Sequence, residues 1–428
     1  MKDIKKVAVL GASGNMGSLS GGIFAQNHIP VKFFARTLEK AEAGKKAAVS
    51  QSRSEIIGNY IECFSYDDLE KEIADCDWIF EGLAEDMEIK NEYFARVDKA
   101  RKSGSIVSTV SSGLSINGMA AERSDDFKAH FMGTHFYNPP GKLPANELIF
   151  ADQVPNDLKQ FVIEYCEKIL RRVNIETHDT AAFAGNRIGF QLLNEAAIYA
   201  EKYGVEKIDY LLGPFTGRAM APLATIDLVG LDVHKAIVDN VANKVKDERH
   251  ETYLMPDYMK KMMEQGKLGL KTKAVGGFFF RSPEKEKFAL DPASCQYIPL
   301  TGFKLDWVEA VKVNIYDGNY AKAVNSIATE KGEEADIIRH FLLGYISYSY
   351  HRIGEVTPES DHIHGIDRVM SSGFSWLPPS GWVELFGGPT TTIDLMNQAN
   401  LPVPDSLKNE KTSDICQVRQ FQRYLAGR

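Results

Sequence analysis

Short apolar runs alternate with amphipathic stretches over about the first 180 residues of the chain. Apolar runs of four or five residues are typical of strands buried inside a parallel sheet, and amphipathic stretches of the helices that cover it. The pattern therefore predicts an α/β domain. Its predicted strands are Val7–Leu10, Val31–Ala35, Trp78–Glu81, Ser105–Thr109 and Thr134–Tyr137, and its first helix is Met16–Asn27.

The pattern changes after Asp179, where apolar residues recur at helical spacing and strand signals are few. The proline-containing segment Arg281–Asp306 predicts a linker, and helical spacing resumes at Trp307. The predicted helices before the linker are Phe183–Tyr203, Leu231–Lys246 and Met255–Gln265. The expected domains are an α/β domain over residues 1–179, a helical domain over 180–285, and a linker with a second helical module over 286–428.

The two helical parts share a weak internal repeat. The matching residues are Ile208, Asp209, Leu212 and Gly230 in one copy and Ile366, Asp367, Met370 and Gly388 in the other, at a constant offset of 158. In both copies an Asp that can cap a helix is followed 21 residues later by Gly. Four matches also arise by chance, but the spacing favours a tandem pair of stacked helical modules.

Composition and charge exclude several classes of protein. With 44% hydrophobic and 25% charged residues, the chain is an ordinary globular protein. Its net charge of −8 argues against a nucleic-acid binder held by phosphate contacts. No apolar run approaches the roughly 20 residues that a membrane helix needs, and the N-terminus runs directly into the first predicted strand, which argues against a signal peptide.

Cysteine and histidine usage indicates neither disulfides nor a metal site. The five cysteines are widely spaced, odd in number and never in a C-x-x-C pair: Cys63, Cys76, Cys166, Cys295 and Cys416. This usage fits a reducing compartment, so we expect a cytoplasmic protein. His362 and His364 have no Cys or carboxylate partners at ligand spacing, and we expect no metal there.

A glycine-rich loop follows the first strand and opens the first helix. Glycines there permit a tight turn and close approach of the backbone to a pyrophosphate, while the helix N-terminus supplies N–H donors. The G-x-x-G-x-x-G string alone is weak evidence, but its position between strand and helix favours dinucleotide binding over a purely structural loop. The predicted cofactor-binding residues of the loop are Gly11, Gly14, Asn15, Met16 and Gly17.

The end of the second strand lacks the acid that NAD enzymes usually place there to bind the adenosine ribose. The strand ends in Ala35 and Arg36. Arginine pairs well with a 2′-phosphate, and no carboxylate repels it, so both NAD and NADP are open. The alternative is an Arg36 that stacks on adenine or is simply solvated.

A histidine and a glutamate stand on a predicted hairpin. The segment around His135 is predicted to be a strand that leads into a turn, and Glu147–Phe150 is predicted to be the returning strand. A carboxylate that accepts one ring N–H fixes the tautomer and leaves the other nitrogen to exchange a proton with substrate. Such a pair suits alcohol dehydrogenation without a metal. Although a histidine in a strand is more often structural, the dinucleotide loop upstream favours catalysis.

At these residues the sequence resembles the L-3-hydroxyacyl-CoA dehydrogenase family. His135–Pro139 match the family's H-F-[FY]-N-P signature, and Glu147 follows as the acid. The similarity also includes EGLAEDMEIK (81–90), Ser112, DTAAFAGNR (179–187) and GKLGLKTKAVGGFF (266–279). The remaining helical part resembles the second helical module of the multifunctional fatty-acid-oxidation enzymes, without their hydratase domain. The resemblance implies a Rossmann-type domain followed by all-α modules.

The resemblance also implies roles, residue by residue. His135 is expected to be the general acid/base and Glu147 its orienting partner. Ser112 and Asn186 are expected to bind the C3 oxygen or the thioester carbonyl of an L-3-hydroxyacyl-CoA, and the signature's Asn138 to lie at the substrate. Besides the loop and Arg36, Glu85 and Lys90 are expected to lie on the cofactor. The implied reaction is reversible, NAD(P)-dependent oxidation to a 3-oxoacyl-CoA, as in fatty-acid β-oxidation.

Three departures from the family pattern bear on cofactor and substrate. The family's Asn in S-N-T-S is Val110, the proline of D-T-P is Ala181, and the strand-2 acid is missing. None removes His135, Glu147 or Asn186, so we expect the chemistry to survive. The departures leave cofactor preference open and fit a specialised acyl-CoA substrate.

Two other functions are consistent with a dinucleotide loop. A β-hydroxyacid dehydrogenase of small acids also joins such a domain to helices, but its catalytic lysine motif does not stand out here. A non-catalytic sensor of dinucleotide and acyl-CoA would not need a general base. A second helical module can cover internally the face that single-module relatives bury against a partner subunit, so the expected state is either a monomer or a homodimer.

Overall fold

Eight strands from about the first 180 residues form one sheet in the computed structural model, which describes residues 3–410. The strands are β1 Val7–Leu10, β2 Val31–Ala35, β3 Ile61–Ser65, β4 Trp78–Glu81, β5 Ile106–Thr109, β6 Phe131–Phe136, β7 Ala145–Phe150 and β8 Val173–Glu176. Their order is β3-β2-β1-β4-β5-β6-β7-β8, and all neighbours are parallel except β6 and β7. The parallel strands β1, β2, β4 and β5 therefore end at one edge, where ligands bind in sheets of this kind.

Helices cover the sheet, which explains its apolar strands. Every residue of β1, β2 and β4 is buried, as a parallel sheet with helices on its faces requires. The helices of this part are α1 Asn15–Gln26, α2 Leu38–Ser52, α3 Leu69–Ile73, α4 Met87–Ala100, α5 Ile116–Ala120, α6 Asp125–Lys128 and α7 Asn156–Lys168, with 3-10 turns at Glu55–Tyr60 and Tyr66–Asp68. The predicted α/β fold is confirmed.

The predicted strand bounds are correct for β1, β2 and β4 and too short for the hairpin. Strand β6 begins at Phe131 instead of Thr134, and β7 begins at Ala145 instead of Glu147. The antiparallel ladder between β6 and β7 supplies backbone hydrogen bonds along its whole length. Such pairing extends strands beyond the residues whose local pattern indicates them.

Two compact units divide the described chain. The first contains residues 3–184 with the short segments 356–358 and 372–374, and the second contains 185–355, 359–371 and 375–410. Residues 411–428, which include Cys416 and the end of the predicted second module, lie outside the described residues. Within residues 3–410, no helix is long and apolar enough to cross a bilayer.

Helices dominate the second part of the chain, as the periodicity predicts. They are α8 Gly185–Tyr203, α9 Val205–Leu211, α10 Pro222–Val229, α11 Leu231–Lys244, α12 Asp257–Glu264, α13 Asp306–Tyr316, α14 Tyr320–Thr329, α15 Glu333–His351, α16 His364–Gly373, α17 Pro379–Leu385, α18 Pro389–Gln398 and α19 Asp405–Lys408. Short 3-10 turns lie at Pro214–Thr216, His250–Tyr253, Leu270–Thr272 and Glu359–Asp361.

The segment Arg281–Asp306, predicted as a linker, contains strands that the sequence did not indicate. The segment belongs to a three-stranded antiparallel sheet of β9 Phe279–Arg281, β10 Lys287–Asp291 and β11 Gln296–Pro299. Pro283 and Pro292 lie in the two turns, and Pro299 ends an edge strand. Proline is tolerated at these positions because no ladder hydrogen bond is lost there.

The predicted repeat has a structural counterpart within the second unit. Asp209 in α9 accepts the N–H of Leu223 in α10 at 2.8 Å, and Asp367 in α16 accepts the N–H of Ser380 in α17 at 3.2 Å. In both copies a glycine with φ near +98° directly precedes the next helix, Gly230 before α11 and Gly388 before α18. The two copies therefore share this local geometry, and the pairing of two helical modules stays a prediction.

Candidate active site

The glycine loop connects β1 to α1 as the sequence predicts. Gly11 has φ +74°, and a Cβ there would come within 2.1 Å of the Gly82 carbonyl oxygen, so only glycine fits. A Cβ on Gly17 would come within 2.4 Å of the Gly11 carbonyl oxygen. These contacts pack the start of α1 closely against the ends of β1 and β4.

The N-terminus of α1 has the properties of an anion site. In the described chain, no side chain caps this helix and no acidic residue lies in its first turn. Ser13, Gly14 and Asn15 are exposed, while Met16 is partly buried. Unpaired N–H groups and the positive end of the helix dipole suit the pyrophosphate of a dinucleotide, so the loop fits the implied cofactor.

A cavity of about 410 Å³ opens beside the loop. Its lining includes Gly11, Ser13, Gly14, Arg36, Tyr66, Gly82, Leu83, Ala84, Ile89, Glu92 and Tyr93. Tyr66 accepts the Gly11 N–H at 2.8 Å, and its ring lies 4.6 Å from that of Tyr93. Burial raises the pKa of Tyr66, so the phenol stays neutral beneath the loop. The cavity has the loop, an aromatic wall and mixed charge that a dinucleotide requires.

Arg36 lies on the rim of this cavity, directly after the buried Ala35. Its side chain is exposed, and the exposed Glu92 lines the same cavity. The next residue, Thr37, caps α2 by accepting the Lys40 N–H. A guanidinium therefore stands where the acidic ribose ligand of an NAD enzyme is missing.

Glu85 and Lys90 form an ion pair, with Lys90 Nζ 3.7 Å from Glu85 Oε2, but they differ in burial. The half-exposed Glu85 accepts the backbone N–H groups of Ser112 and Gly113 and the hydroxyl of Ser111, at 2.7–3.1 Å. It thereby fixes the loop after β5 that carries Ser112. Lys90 is fully buried, and its ammonium donates to both oxygens of Glu81, at 2.7 and 2.8 Å. A buried ion pair of this kind positions the end of β4, and the cofactor contact of Lys90 stays a prediction.

The predicted His–Glu pair is formed in the structure. His135 on β6 stands directly opposite Glu147 on β7, and its Nδ1 lies 2.6 Å from Glu147 Oε2. Both side chains are buried, Glu147 completely. Because an ionised carboxylate only accepts, Nδ1 is the donor, and Nε2 is left to exchange a proton.

Tyr137 and the Ala184 amide also hold Glu147. Tyr137 donates its hydroxyl to the same Oε2 at 2.7 Å, and the backbone N–H of Ala184 donates to Oε1 at 2.9 Å. Ala182 and Phe183, just before Ala184, both adopt left-handed conformations with φ of +63° and +55°. Consecutive strained residues of this kind persist where the surrounding structure imposes them, often at functional sites.

The hairpin turn contacts the cofactor loop. Asn138, two residues beyond the end of β6, accepts a hydrogen bond from the side chain of Asn15 at 2.9 Å. Both residues are exposed. The predicted substrate residue Asn138 and the predicted cofactor residue Asn15 are thus brought together, and the His–Glu hairpin lies next to the first turn of α1.

The remaining predicted residues are placed as follows. Ser112 lies in the loop after β5 and is partly exposed, and Val110 before it is buried. Asn186 lies in the first turn of α8, in the second unit, and is 6% exposed. The substrate contacts of Ser112 and Asn186 stay predictions. Among residues 3–410, no three His, Cys, Asp or Glu side chains are grouped as metal ligands would be.

Sequence reasoning missed three groups at the site: Glu81, Tyr137 and the Ala184 amide. A signal existed for two of them. Tyr137 is two residues after His135 in an extended segment, and such residues share a face. Glu81 ends an otherwise apolar buried strand, where a carboxylate requires a partner. The Ala184 amide had no signal, because backbone donors are found only from the fold.

Comparison with known proteins gives two matches to domain families and several relatives. Residues 6–180 match the NAD binding domain of 3-hydroxyacyl-CoA dehydrogenases, and residues 183–277 match their C-terminal domain. A probable 3-hydroxyacyl-CoA dehydrogenase from Bacillus subtilis is 32% identical over 403 residues, which cover 88% of this chain and 50% of the relative. A protein of the same description from Deinococcus radiodurans is 31% identical over 298 residues, which cover 66% of this chain and 84% of that protein.

A solved structure shares the fold over nearly the whole length. The crystal structure of 3-hydroxybutyryl-CoA dehydrogenase from Escherichia coli K12 matches with a TM-score of 0.68 and covers 99% of both chains at 17% identity. At that identity the likeness concerns the fold alone. This chain spans half the length of the Bacillus subtilis relative, which is thus a considerably longer protein.

Proposed function

The chain belongs to the 3-hydroxyacyl-CoA dehydrogenase family, as its motifs predicted, and from that premise we propose that it interconverts an L-3-hydroxyacyl-CoA and a 3-oxoacyl-CoA with a nicotinamide cofactor. The observation that carries the proposal is the 2.6 Å contact between His135 and Glu147 on a hairpin whose turn touches the cofactor loop. Binding alone would not need an oriented, buried imidazole.

The protein's own residues handle the proton of this reaction. NAD, when held at the glycine loop, would supply the acceptor for the hydride of substrate C3. His135 accepts the hydroxyl proton at Nε2, and Glu147 stabilises the resulting imidazolium through Nδ1–H. In the reverse direction the imidazolium returns the proton to the developing alkoxide. Acid/base catalysis of this kind contributes about 10²–10⁴-fold to the rate.

Ser112 and Asn186 are assigned to the substrate oxygens. Ser112 is supported by the rigid loop that Glu85 holds at the carboxyl edge of the sheet. Asn186 is supported by its place in the first turn of α8, within the family's motif. The exposed Asn138 is assigned to the mouth of the site, next to Asn15. These assignments rest on the family pattern together with the local geometry.

We propose that NADP is accepted as well as NAD. The matched domain is an NAD binding domain. Support for NADP comes from Ala35 in place of the ribose-binding acid and from the exposed Arg36 on the cavity rim. A guanidinium offers paired donors to a 2′-phosphate, although Glu92 on the same rim reduces the positive potential.

We also propose a domain plan, oligomeric state and location. The similar caps formed by Asp209 and Asp367 support two helical modules in one chain. Because the second module can cover the face that single-module relatives bury in a homodimer, the protein is either a monomer or a homodimer. A cytoplasmic location is supported by the four cysteines of the described chain, all of which are free thiols.

The test is turnover of acetoacetyl-CoA by the purified full-length chain. With NADH or NADPH, the absorbance of the reduced nicotinamide should fall with time, and His135→Gln should lower kcat by about 10²–10⁴-fold without abolishing cofactor binding. Cofactor binding without turnover in the wild type would favour a non-catalytic sensor. Turnover of small hydroxyacids but not of CoA esters would favour a β-hydroxyacid dehydrogenase.

A further inference from the structure

Two donors share one oxygen of Glu147. His135 Nδ1 and the Tyr137 hydroxyl lie 2.6 and 2.7 Å from Oε2, while the Ala184 N–H takes Oε1. The carboxylate is completely buried, so water does not compete for these hydrogen bonds. The strength of the bond to His135 therefore depends on the donor beside it.

Tyr137 is placed to be a permanent donor. It follows β6 on the same face as His135, and the two ring centroids are 4.9 Å apart. Burial and the charge of Glu147 raise the pKa of Tyr137 well above its ordinary value, so the phenol keeps its proton. Its ring lies beside His135 on one side of the pair, and the Phe183 ring lies 5.7 Å from His135.

A segment far downstream in the chain touches the Tyr137 ring. Phe374 packs edge-on against it, with centroids 5.6 Å apart and planes at 64°. Gly373, the last residue of α16, also lies against this ring. A Cβ added to Gly373 would be 3.1 Å from three atoms of the Tyr137 ring. Residues 372–374 belong to the same compact unit as the hairpin. The ring therefore has little freedom to swing away from Glu147.

We propose that Tyr137 is a positioning residue for the His135–Glu147 pair, and that Gly373 and Phe374 hold its ring in hydrogen-bonding position. This inference rests on the proposed function, since it assigns Tyr137 to the proton transfer of that reaction. It gives residues 373 and 374 a part in the site although they lie beyond both matched family domains.

The physical consequence has a definite sign. A carboxylate oxygen that accepts from a phenol has less negative charge for the imidazolium. Removal of the phenol hydroxyl concentrates the charge of Oε2 on His135, so the imidazolium forms more readily and gives up its proton less readily. Tyr137 is a titratable group in direct contact with Glu147, and the Ala184 amide and the Phe183 ring are neutral groups beside the pair.

The first experiment compares Tyr137→Phe with wild type. The acid limb of kcat/KM for hydroxyacyl-CoA oxidation should move to higher pH by roughly half to one unit, and kcat for acetoacetyl-CoA reduction should fall about threefold to tenfold at neutral pH. The KM for acetoacetyl-CoA should change less than about twofold, since Tyr137 is not assigned to substrate. A superimposable pH profile and an unchanged kcat would overturn the proposal.

A matched control removes a buried phenol hydroxyl elsewhere. Tyr258 is buried and donates to the Ala197 carbonyl oxygen at 2.9 Å, in the helical part. Tyr258→Phe should lower stability as Tyr137→Phe does but leave the pH profile unchanged. An equal displacement of the limb in both variants would show that the effect is a general loss of packing, and the positioning role would be wrong.

The second experiment tests the ring contact through a double-mutant cycle. Gly373→Ala should shift the pH limb in the same direction as Tyr137→Phe, because its new methyl group displaces the ring by a few tenths of an ångström. Combined with Tyr137→Phe, it should add no further shift, since no hydroxyl is left to displace. Gly344→Ala, whose Cβ makes only ordinary contact at 3.4 Å, is the control. Fully additive shifts would refute the link.

A measurement without turnover separates this inference from the proposed function. In 15N-histidine-labelled protein, the Nδ1–H proton of His135 should resonate far downfield and move further downfield in Tyr137→Phe, even if acetoacetyl-CoA is not reduced. If the Nδ1–H resonance moves in Tyr137→Phe but the wild type does not reduce acetoacetyl-CoA, the proposed reaction is wrong and the positioning role of Tyr137 is retained. If the wild type reduces acetoacetyl-CoA but the Nδ1–H resonance does not move in Tyr137→Phe, only the positioning role of Tyr137 is wrong.

Discussion

Arg218 and Trp376 pair in an isolated antiparallel bridge, and they are separated by the same 158 residues that relate Asp209 to Asp367. The N–H of the next residue, Leu377, donates to the Gly217 carbonyl oxygen at 2.7 Å. Arg218 is also stacked on the Trp376 ring, at 4.7 Å. Equivalent residues of two copies meet each other only at a two-fold axis, as in an isologous dimer interface. The bridge therefore supports an internal duplication, in which one chain contains both halves of such an interface.

A chain shortened to end near Phe280 should therefore either dimerise or aggregate. It keeps the hydrogen bonds of Arg218 to Thr216 but loses the rings of Phe341, Tyr345 and Trp376, against which the buried guanidinium packs. The guanidinium would then be left on an apolar face. Size-exclusion chromatography with light scattering gives the mass directly. A soluble monomer of the shortened chain would count against an internal duplication.

Glu147→Gln should lower kcat by about 10²-fold and move the acid limb of kcat/KM for oxidation to lower pH. A neutral amide stabilises an imidazolium less than a carboxylate does, so His135 is protonated only in more acidic solution. The measurement is a pH–rate profile. Glu176→Gln on the neighbouring strand β8 makes the same chemical change at an exposed position and should leave the profile as it is. An unshifted limb in Glu147→Gln would contradict a role for its charge.

Arg36→Asp should raise the KM for NADPH by about tenfold or more and change the KM for NADH much less. The substitution removes a donor for the 2′-phosphate and adds a carboxylate that repels it. Steady-state KM values for both cofactors provide the test. Lys40→Asp reverses the same charge at an exposed position of α2 and should affect both cofactors little. Equal changes for NADH and NADPH would rule out a phosphate contact for Arg36.

Asp367→Asn should weaken the dependence of stability on pH. Burial raises the pKa of Asp367 and of Asp209 to about 7, from an ordinary value of 3.8. Each folded carboxyl therefore holds its proton more tightly than the unfolded chain does. The stability that it contributes is complete below about pH 3.8 and is lost as the pH rises through 7.

The measurement is Tm between pH 5 and 8, where the wild type should lose stability that Asp367→Asn keeps. A difference of 1 kcal/mol corresponds to roughly 2–4 °C. Asp257→Asn at the exposed start of α12 serves as the control and should follow the wild type. The same slope in Asp367→Asn and in the wild type would disprove the raised pKa.

Local signals predicted much of the sheet and the contact between His135 and Glu147. The apolar runs predicted β1, β2 and β4 with correct bounds, because strands buried on both faces consist of continuous apolar residues. The predicted hairpin also indicated that Glu147 lies near His135, because two antiparallel strands joined by a short turn pair with each other. The observed register places these two residues directly opposite. The strands between Arg281 and Asp306 were not predicted, because prolines in hairpin turns and prolines in linkers look alike in sequence.

The sequence by itself determined the fold class, the cofactor loop and the His135–Glu147 pair, which depend on local periodicity and on short spacings along the chain. Only the tertiary structure decided which groups surround that pair. The contact of Gly373 with Tyr137 and the bridge of Arg218 with Trp376 join residues far apart in the chain. Such contacts depend on how whole helices and strands pack, and no local propensity encodes them.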